Sequence, residues 1–212
     1  MVTIAPELPG AINLIRELSR TGVVVSLGHS EATSEIASAA AAGGASMVTH
    51  LFNAMTGFHH RRDGLVVWAL GRSDVSLGVI ADGVHVAGAA LSLVERCAGE
   101  RVILVSDATA ASLAPSGTYQ QAGTPVVRHP DGRVTTFDDR LAGSGSVLAE
   151  IVPVWASETA GGFAGAIRSA TYRPAAKVGI RCGLAAGYPA NVVLWSEQCR
   201  VTTVIFRGTR VN

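Results

Sequence analysis

The stretch VVVSLGHSEATSEIASAAAAGGASMVTHLFN, residues 23–53, holds two short apolar runs that each stop at a histidine, His29 and His50, with an alanine-rich segment between them. Unbroken β-branched and aliphatic runs of this length suit strands buried on both faces, whereas strands with one wet face alternate. Alanine is the best helix former, so the alanine-rich segment between the two runs has helical texture. Together these segments make one strand-helix-strand step of a parallel sheet.

The same rhythm extends both ways. VTIAPE, VSLGVIADGVHV and RVILVSDA are further strand-like runs, and LPGAINLIRELSRTG, DGLVVWALGRS and AGAALSLVERCAGE are the intervening helical segments, up to about Ala110. The expectation is a parallel sheet covered on both faces. Beyond it, TYQQAGTPVVRHPDGRVTTF carries Gly-Thr-Pro and Pro-Asp-Gly turn signals between short alternating runs, as a β-hairpin does. Positions 144–179 return to helical texture, and NVVLWSEQCRVTTVIFRGTRVN closes as two or three strands with an Arg-Gly-Thr turn. The expected organisation is βα units over 1–115, a hairpin insertion over 116–140, late helices over 141–185 and strands of a small β module over 186–212.

Composition narrows the function classes. The 212 residues are 48% hydrophobic and 16% charged, with 17 basic against 16 acidic side chains. So even a balance gives no electrostatic footprint for nucleic acid or an anionic membrane, and a small neutral or weakly anionic ligand suits it better. No apolar run reaches the roughly 18–20 residues of a membrane span, and MVTIAPELPG lacks the features of a secretory signal, so a cytoplasmic location is the default expectation. Cys97, Cys182 and Cys199 are odd in number and far apart, which suggests buried apolar residues and no disulfide framework.

Each early strand runs apolar and then stops at an ionisable or amide side chain: Glu7, His29, His50 with Asn53, Asp82 with His85, and Asp107. All strand C-termini of a parallel βα sheet lie on one side, where active sites of this architecture form. Two neutral imidazoles and a carboxylate at such ends suit a divalent cation with one position open to water, whose pKa falls from about 15.7 to about 7 on coordination. A neighbouring aspartate can then take the water's proton and return it to a leaving amine. The two histidines and Asp107 leave zinc, iron and manganese all open as the metal.

Blander roles compete for some of these residues. Glu7, just before LPGAINLI, reads as a helix-start carboxylate. His59 and His60 of GFHHRRDG read as a solvated loop pair, and His129 as a surface residue. Gly143 and Ser144 read as a turn and cap, with contacts to a ligand as the alternative. Phosphate loops, dinucleotide fingerprints and the GxSxG nucleophile elbow are absent from the sequence.

At GHS, THLFNAM, IADGVHV, LVSDA and LAGS, in this order and at these separations, the chain closely resembles the N-acetylglucosamine-6-phosphate deacetylases of the amidohydrolase superfamily. ATYRPAAKVGI and GLAAGYPANVVLW agree with its late helix and its return to a small β-sandwich. The resemblance implies an α/β fold, the C-terminal part of a metal-dependent hydrolase (β/α)8 barrel with a small β-sandwich module. It implies that His29 and His50 bind the metal, most simply zinc, and that Asp107 is the catalytic acid/base. Asn53 and Ala54 would contact the sugar, and Asp82, Gly83, Val84 and His85 would form a substrate segment with the histidine beside the acetyl group. Leu141, Ala142 and Gly143 would cover the sugar, and Arg61 would meet the 6-phosphate, in the family from the neighbouring subunit, which implies a homodimer. The implied reaction is hydrolysis of the N-acetyl group to glucosamine-6-phosphate and acetate, with the metal and His85 polarising the carbonyl and Asp107 moving the proton.

Two departures qualify that expectation. No HLEGP-type segment, which carries a third, glutamate ligand in the family, occurs in the sequence, and the first strand matches the family's fourth barrel strand. RRDG stands where the family has an Arg-x-Pro-Gly turn, which leaves Arg62 beside Arg61 as the phosphate candidate. Three hypotheses follow: a metal-dependent deacetylase completed by further strands, an inactive truncated deacetylase, and a sugar-phosphate binding module without catalysis.

Overall fold

A computed structural model describes residues 1–211. Its first half alternates strand and helix: β1 (Val2–Ile4), α1 (Ala11–Arg20), β2 (Val25–Leu27), α2 (Ser34–Ala42), β3 (Met47–Val48), α3 (Leu65–Gly71), β4 (Ser76–Val79), α4 (Gly88–Ala98) and β5 (Val102–Leu104). The five strands form one sheet in chain order, and every neighbouring pair is parallel. The protein is therefore α/β with a parallel sheet, and all five strand C-termini emerge on one side.

Local sequence explains these elements. Thr33 caps α2 by accepting a hydrogen bond from the Ile36 N–H at 3.4 Å, and Ala37 and Ala40 face the core without bulk. Val25, Leu27, Val48, Leu77, Val79, Val102 and Leu104 are buried against Ile15, Leu65, Leu91 and Trp155. Each such aliphatic side chain contributes about 1.5–3 kcal/mol by leaving water. Strand β1 departs from the expected double cover, because as an edge strand it leaves Val2 and Thr3 exposed.

A second, antiparallel sheet contains β6 (Gly117–Gln121), β7 (Thr124–Arg128) and β8 (Val134–Thr135). Its first turn is at Ala122 and Gly123, with φ of 48° and 84°, so only the glycine of Gly-Thr-Pro takes part in it; Thr124 and Pro125 already belong to β7. Two consecutive positive φ angles match the twist of a tight hairpin, which accounts for the shift. The Pro-Asp-Gly signal sits between β7 and β8, where the His129 N–H donates to the Arg133 carbonyl at 2.8 Å.

Helices α5 (Leu148–Glu158), α6 (Gly162–Ala170) and α7 (Tyr172–Lys177) follow, and α5 sends Ile151, Val152 and Trp155 into the main core. The chain closes with antiparallel β9 (Val192–Trp195), β10 (Val201–Phe206) and β11 (Thr209–Arg210), tied to α6 by an edge-to-face contact of Trp195 on Phe163 at 5.4 Å. Asn212, the last residue of the expected closing strands, lies outside the described residues.

The cysteines correct one expectation. Cys97 and Cys182 are exposed and Cys199 is half-buried. On α4 the buried positions are Leu91, Val94 and Ala98, which turns Cys97 outward. Among the described residues no helix is long and apolar enough to cross a membrane.

Candidate active site

The residues just past β2, β3 and β5 share an unusual backbone. His29, His50 and Asp107 have φ of 50°, 24° and 50°, as do Phe52 and Ala54 at 77° and 51°. Non-glycine residues in this region cost about 1–3 kcal/mol each and cluster where a fold sacrifices local comfort for function. Here the sharp bend turns each side chain out of the strand direction as the strand leaves the core.

At the ends of β2 and β3, the His29 and His50 rings meet edge to face with Nε2 atoms 2.9 Å apart. His29 is exposed, and His50 is 6% exposed. Burial, helped by the neighbouring His29, pushes the His50 pKa down against the opposing charge of Asp107, so the ring stays neutral and able to donate a lone pair. The other ring nitrogen, Nδ1 of His50, is buried without a partner.

Glu7 is placed differently from the expected helix-start role. Its carboxylate accepts from the Ser30 hydroxyl at 2.7 Å and the Glu31 N–H at 2.8 Å, bracing the loop that carries His29. Partial burial works against its charge, but these two bonds outweigh it and hold the Glu7 pKa below the usual range. The Ser30 N–H donates to the Ala54 carbonyl at 3.0 Å, which couples the β2 and β3 ends. The amide nitrogen of Asn53 is engaged by its own turn, donating to the His50 and Leu51 carbonyls at 3.3 and 3.2 Å.

After β4, Asp82 and His85 form a self-contained pair. Oδ1 of Asp82 accepts the Val84 and His85 backbone N–H groups, both at 2.9 Å, while Oδ2 lies 2.8 Å from His85 Nδ1 and 2.7 Å from the Ser144 hydroxyl. The two side chains are 3% and 4% exposed. Burial alone would raise the Asp82 pKa, but the hydrogen bonds from His85, Ser144 and Val84 overcome it and hold the carboxyl far below the usual carboxylate range. With about four acceptor sites filled, Asp82 orients His85 and leaves little to offer a ligand directly.

The LAGS segment joins this pair to Asp107. The Ser144 N–H donates to the Asp107 carbonyl at 2.9 Å, and Ala108 and Ser144 form a parallel bridge. Gly143, at φ 74°, has no room for a side chain: a Cβ there would lie 2.6 Å from Thr109 Cγ2 and 2.8 Å from the Asp107 carbonyl. The glycine thus lets the chain lie flat against the end of β5.

A cavity of about 310 Å³ opens beside these groups, at the small end of the range for ligand sites. Asp82, Val84, His85, Leu141 and Gly143 line one wall, and Arg128, Pro130, Gly132 and Arg133 of the β7–β8 region line another. Gly83 is exposed and Ala142 packs on the small Ala111, Val126 and Val134 cluster. His29, His50, Asn53, Ala54, Arg61 and Asp107 are not among the cavity-lining residues, and Arg61 and Arg62 lie exposed in the loop after β3. His59 and His60 stack at 5.0 Å in that loop. His129, expected at the surface, is half-buried with Nε2 2.8 Å from the Thr135 hydroxyl.

The His29–His50 pair fits two ligands of one cation. Nitrogens each about 2.05 Å from a shared ion are about 2.9 Å apart at a right angle and about 3.3 Å apart in a tetrahedron, and the observed separation is 2.9 Å. Among the described residues no group of three or more His, Cys, Asp or Glu side chains is placed to hold a metal. Asp107 stands near the pair as a charge felt at His50.

Sequence reasoning missed the bond from Ser144 to Asp82 and the role of Glu7 as a brace for the His29 loop. Neither carries a local signal, since their partners lie far away in the chain.

The chain carries a histidine pair and an aspartate just past the strand ends of its parallel α/β sheet, and it belongs to the amidohydrolase family, whose model matches residues 2–211. Among curated relatives it is 38% identical over 211 residues to an N-acetylgalactosamine-6-phosphate deacetylase of Escherichia coli O157:H7, covering 98% of this chain and 56% of that protein. It is 33% identical to the N-acetylglucosamine-6-phosphate deacetylase of Bacillus subtilis, covering 98% and 53%. Among solved structures, an aspartate-to-alanine variant of the Mycobacterium smegmatis N-acetyl-D-glucosamine-6-phosphate deacetylase, in complex with N-acetyl-D-glucosamine-6-phosphate, superposes with a TM-score of 0.96 at 34% identity, covering all of this chain and 57% of that one. The chain spans about half the length of the relatives it matches.

Proposed function

We propose that the chain is the C-terminal part of a (β/α)8-barrel deacetylase that hydrolyses the N-acetyl group of a 2-acetamido sugar 6-phosphate, N-acetylglucosamine-6-phosphate foremost. The relatives act on both the gluco and galacto sugars by name, so the proposal includes N-acetylgalactosamine-6-phosphate. The observation that carries it is the 2.9 Å approach of His29 and His50 at adjacent strand ends, with Asp107 at the end of β5 on the same side. The three antiparallel strands at the C-terminus would belong to the small β-sandwich module.

A divalent cation held by His29 and His50, zinc with iron or manganese as alternatives, would supply Lewis acidity to the attacking water and the acyl oxygen. Asp107 takes a proton from that water as its oxygen bonds to the acyl carbon, and returns the proton to nitrogen as the C–N bond breaks, releasing amine and acetate. His85, with Nδ1–H donated to Asp82, presents Nε2 to the acyl group; in the doubly protonated ring that Nε2–H donates to the developing oxyanion. Leu141 and Gly143 line the cavity that would hold the sugar, with Ala142 packed behind them, and Asn53 and Ala54 would reach the sugar from the β3 end outside that cavity. Exposure of Arg61 and Arg62 outside the cavity supports a phosphate contact made to a neighbouring subunit of a homodimer.

The test is acetate release from each sugar phosphate by the chain loaded with zinc, with Asp107→Asn as control. Turnover that falls by about 10³-fold or more in that variant, with zinc still bound, is expected. Sugar-phosphate binding without acetate release at any metal concentration would replace the hydrolase reading by a binding module, and neither binding nor turnover would mark an inactive fragment.

A further inference from the structure

We propose that Ser144 is a positioning residue that aims His85 through Asp82 while its own backbone fixes the strand end carrying Asp107. The inference rests on the hydrolase reading for its purpose, but its geometry stands apart from it.

Ser144 is 1% exposed, and its hydroxyl sits in a directed chain. The Ser146 N–H donates to Ser144 Oγ at 3.0 Å, Oγ donates to Asp82 Oδ2 at 2.7 Å, and the same carboxylate oxygen lies 2.8 Å from His85 Nδ1. Accepting one bond polarises the hydroxyl and strengthens the bond it donates. A carboxylate held at one oxygen by two backbone N–H groups alone could still pivot; the Ser144 hydroxyl fixes the second oxygen, and with it the plane in which the His85 ring lies. Because Oγ both accepts and donates, a methyl group at this position would strand the Ser146 N–H and remove one of the four donors to Asp82.

The backbone does the other half. The Ser144 N–H meets the Asp107 carbonyl at 2.9 Å, and the Ser144 carbonyl accepts from the Thr109 N–H at 3.3 Å and the Ser112 hydroxyl at 2.8 Å. One residue therefore ties the group proposed to move the proton to the group proposed to polarise the acyl oxygen. These backbone ties survive side-chain replacement, so the hydroxyl's share can be isolated.

The experiment is proton and nitrogen NMR of the histidine rings in the folded chain, comparing wild type with Ser144→Ala and Ser144→Cys. Cysteine is a little larger than serine and a weaker donor. The expected result is a slowly exchanging His85 Nδ1–H in the wild type, which shifts and exchanges with water on the order of tenfold faster in both variants. The His129 ring, bonded to Thr135 in a separate sheet, should be unchanged and reports that the fold is intact. An unchanged His85 signal in a folded variant overturns the proposal, as does unfolding of both variants, which would make the hydroxyl a requirement of the fold. If the wild type releases acetate, both variants should lose about tenfold in kcat with KM little altered. If it releases none while the ring signals respond as stated, the hydrolase reading fails and the positioning role stands.

Discussion

The two side-chain pairs at the sheet's polar end, one aspartate with histidine and one of two histidines, are built on opposite principles. Asp82 and His85 close on each other, with every carboxylate site filled and both side chains nearly sealed from water. His29 and His50 bring two like groups together, leave Nδ1 of His50 without a partner, and have no carboxylate ligand among the described residues. The first pair is complete as it stands; the second is shaped for something that joins it. A buried polar group is costly unless paired, which the Asp82–His85 bonds satisfy; His29 is exposed, and both imidazoles of the other pair sit on backbone at positive φ.

The comparison can be broken where the two halves are joined. Gly143→Ala should have the largest effect on the complete half, because a Cβ at φ 74° would press on Thr109 and the Asp107 carbonyl. A loss of about 2 kcal/mol or more, seen as a melting temperature lower by about 4–8 °C, is expected. An unaltered melting temperature would show that the segment is free to move away from β5.

Next comes the acid limb of the stability curve. The Asp82 carboxyl is held below its ordinary range, so its contribution is fully present above about pH 4, the range of an unfolded aspartate, and is lost as pH falls towards the folded-state value. Asp82→Asn should remove that part of the pH dependence and cost on the order of 1–3 kcal/mol at neutral pH. Denaturant unfolding between pH 3 and 7 checks both, and parallel curves for the two proteins would contradict the assignment.

The smallest effect belongs to Glu7→Gln, which weakens the brace on the His29 loop without touching the ring. Zinc affinity should fall less than about tenfold, since the carboxylate is exposed and acts one step removed. A loss as large as that from removing a histidine would place Glu7 among the ligands.

Much of this was legible in the residues themselves. Strands that are apolar to their last residue and then stop at His29, His50, Asp82 or Asp107 announce both a parallel sheet and the side on which its chemistry sits. The hairpin turn begins one residue before Gly-Thr-Pro, because Ala122 at positive φ is a conformational choice that residue type does not declare, whereas Pro125 is tolerated inside β7. Glu7, Ser144 and the use of the Asn53 amide on its own turn were hidden for another reason. Each acts through a distance that exists only once β1 lies beside β2, or LAGS beside β5. The cysteines illustrate the converse: their hydrophobic character suggested burial, but on α4 the core face was already occupied by Leu91, Val94 and Ala98.

That His29 and His50 are two ligands of one cation is tested most directly by X-ray absorption at the zinc edge of the zinc-loaded chain. Two imidazole nitrogens at about 2.0–2.1 Å are expected, falling to one in His50→Ala with at least a hundredfold weaker zinc binding. A zinc shell of oxygen or sulfur alone, or one unchanged in the His29→Ala, His50→Ala double variant, would contradict it.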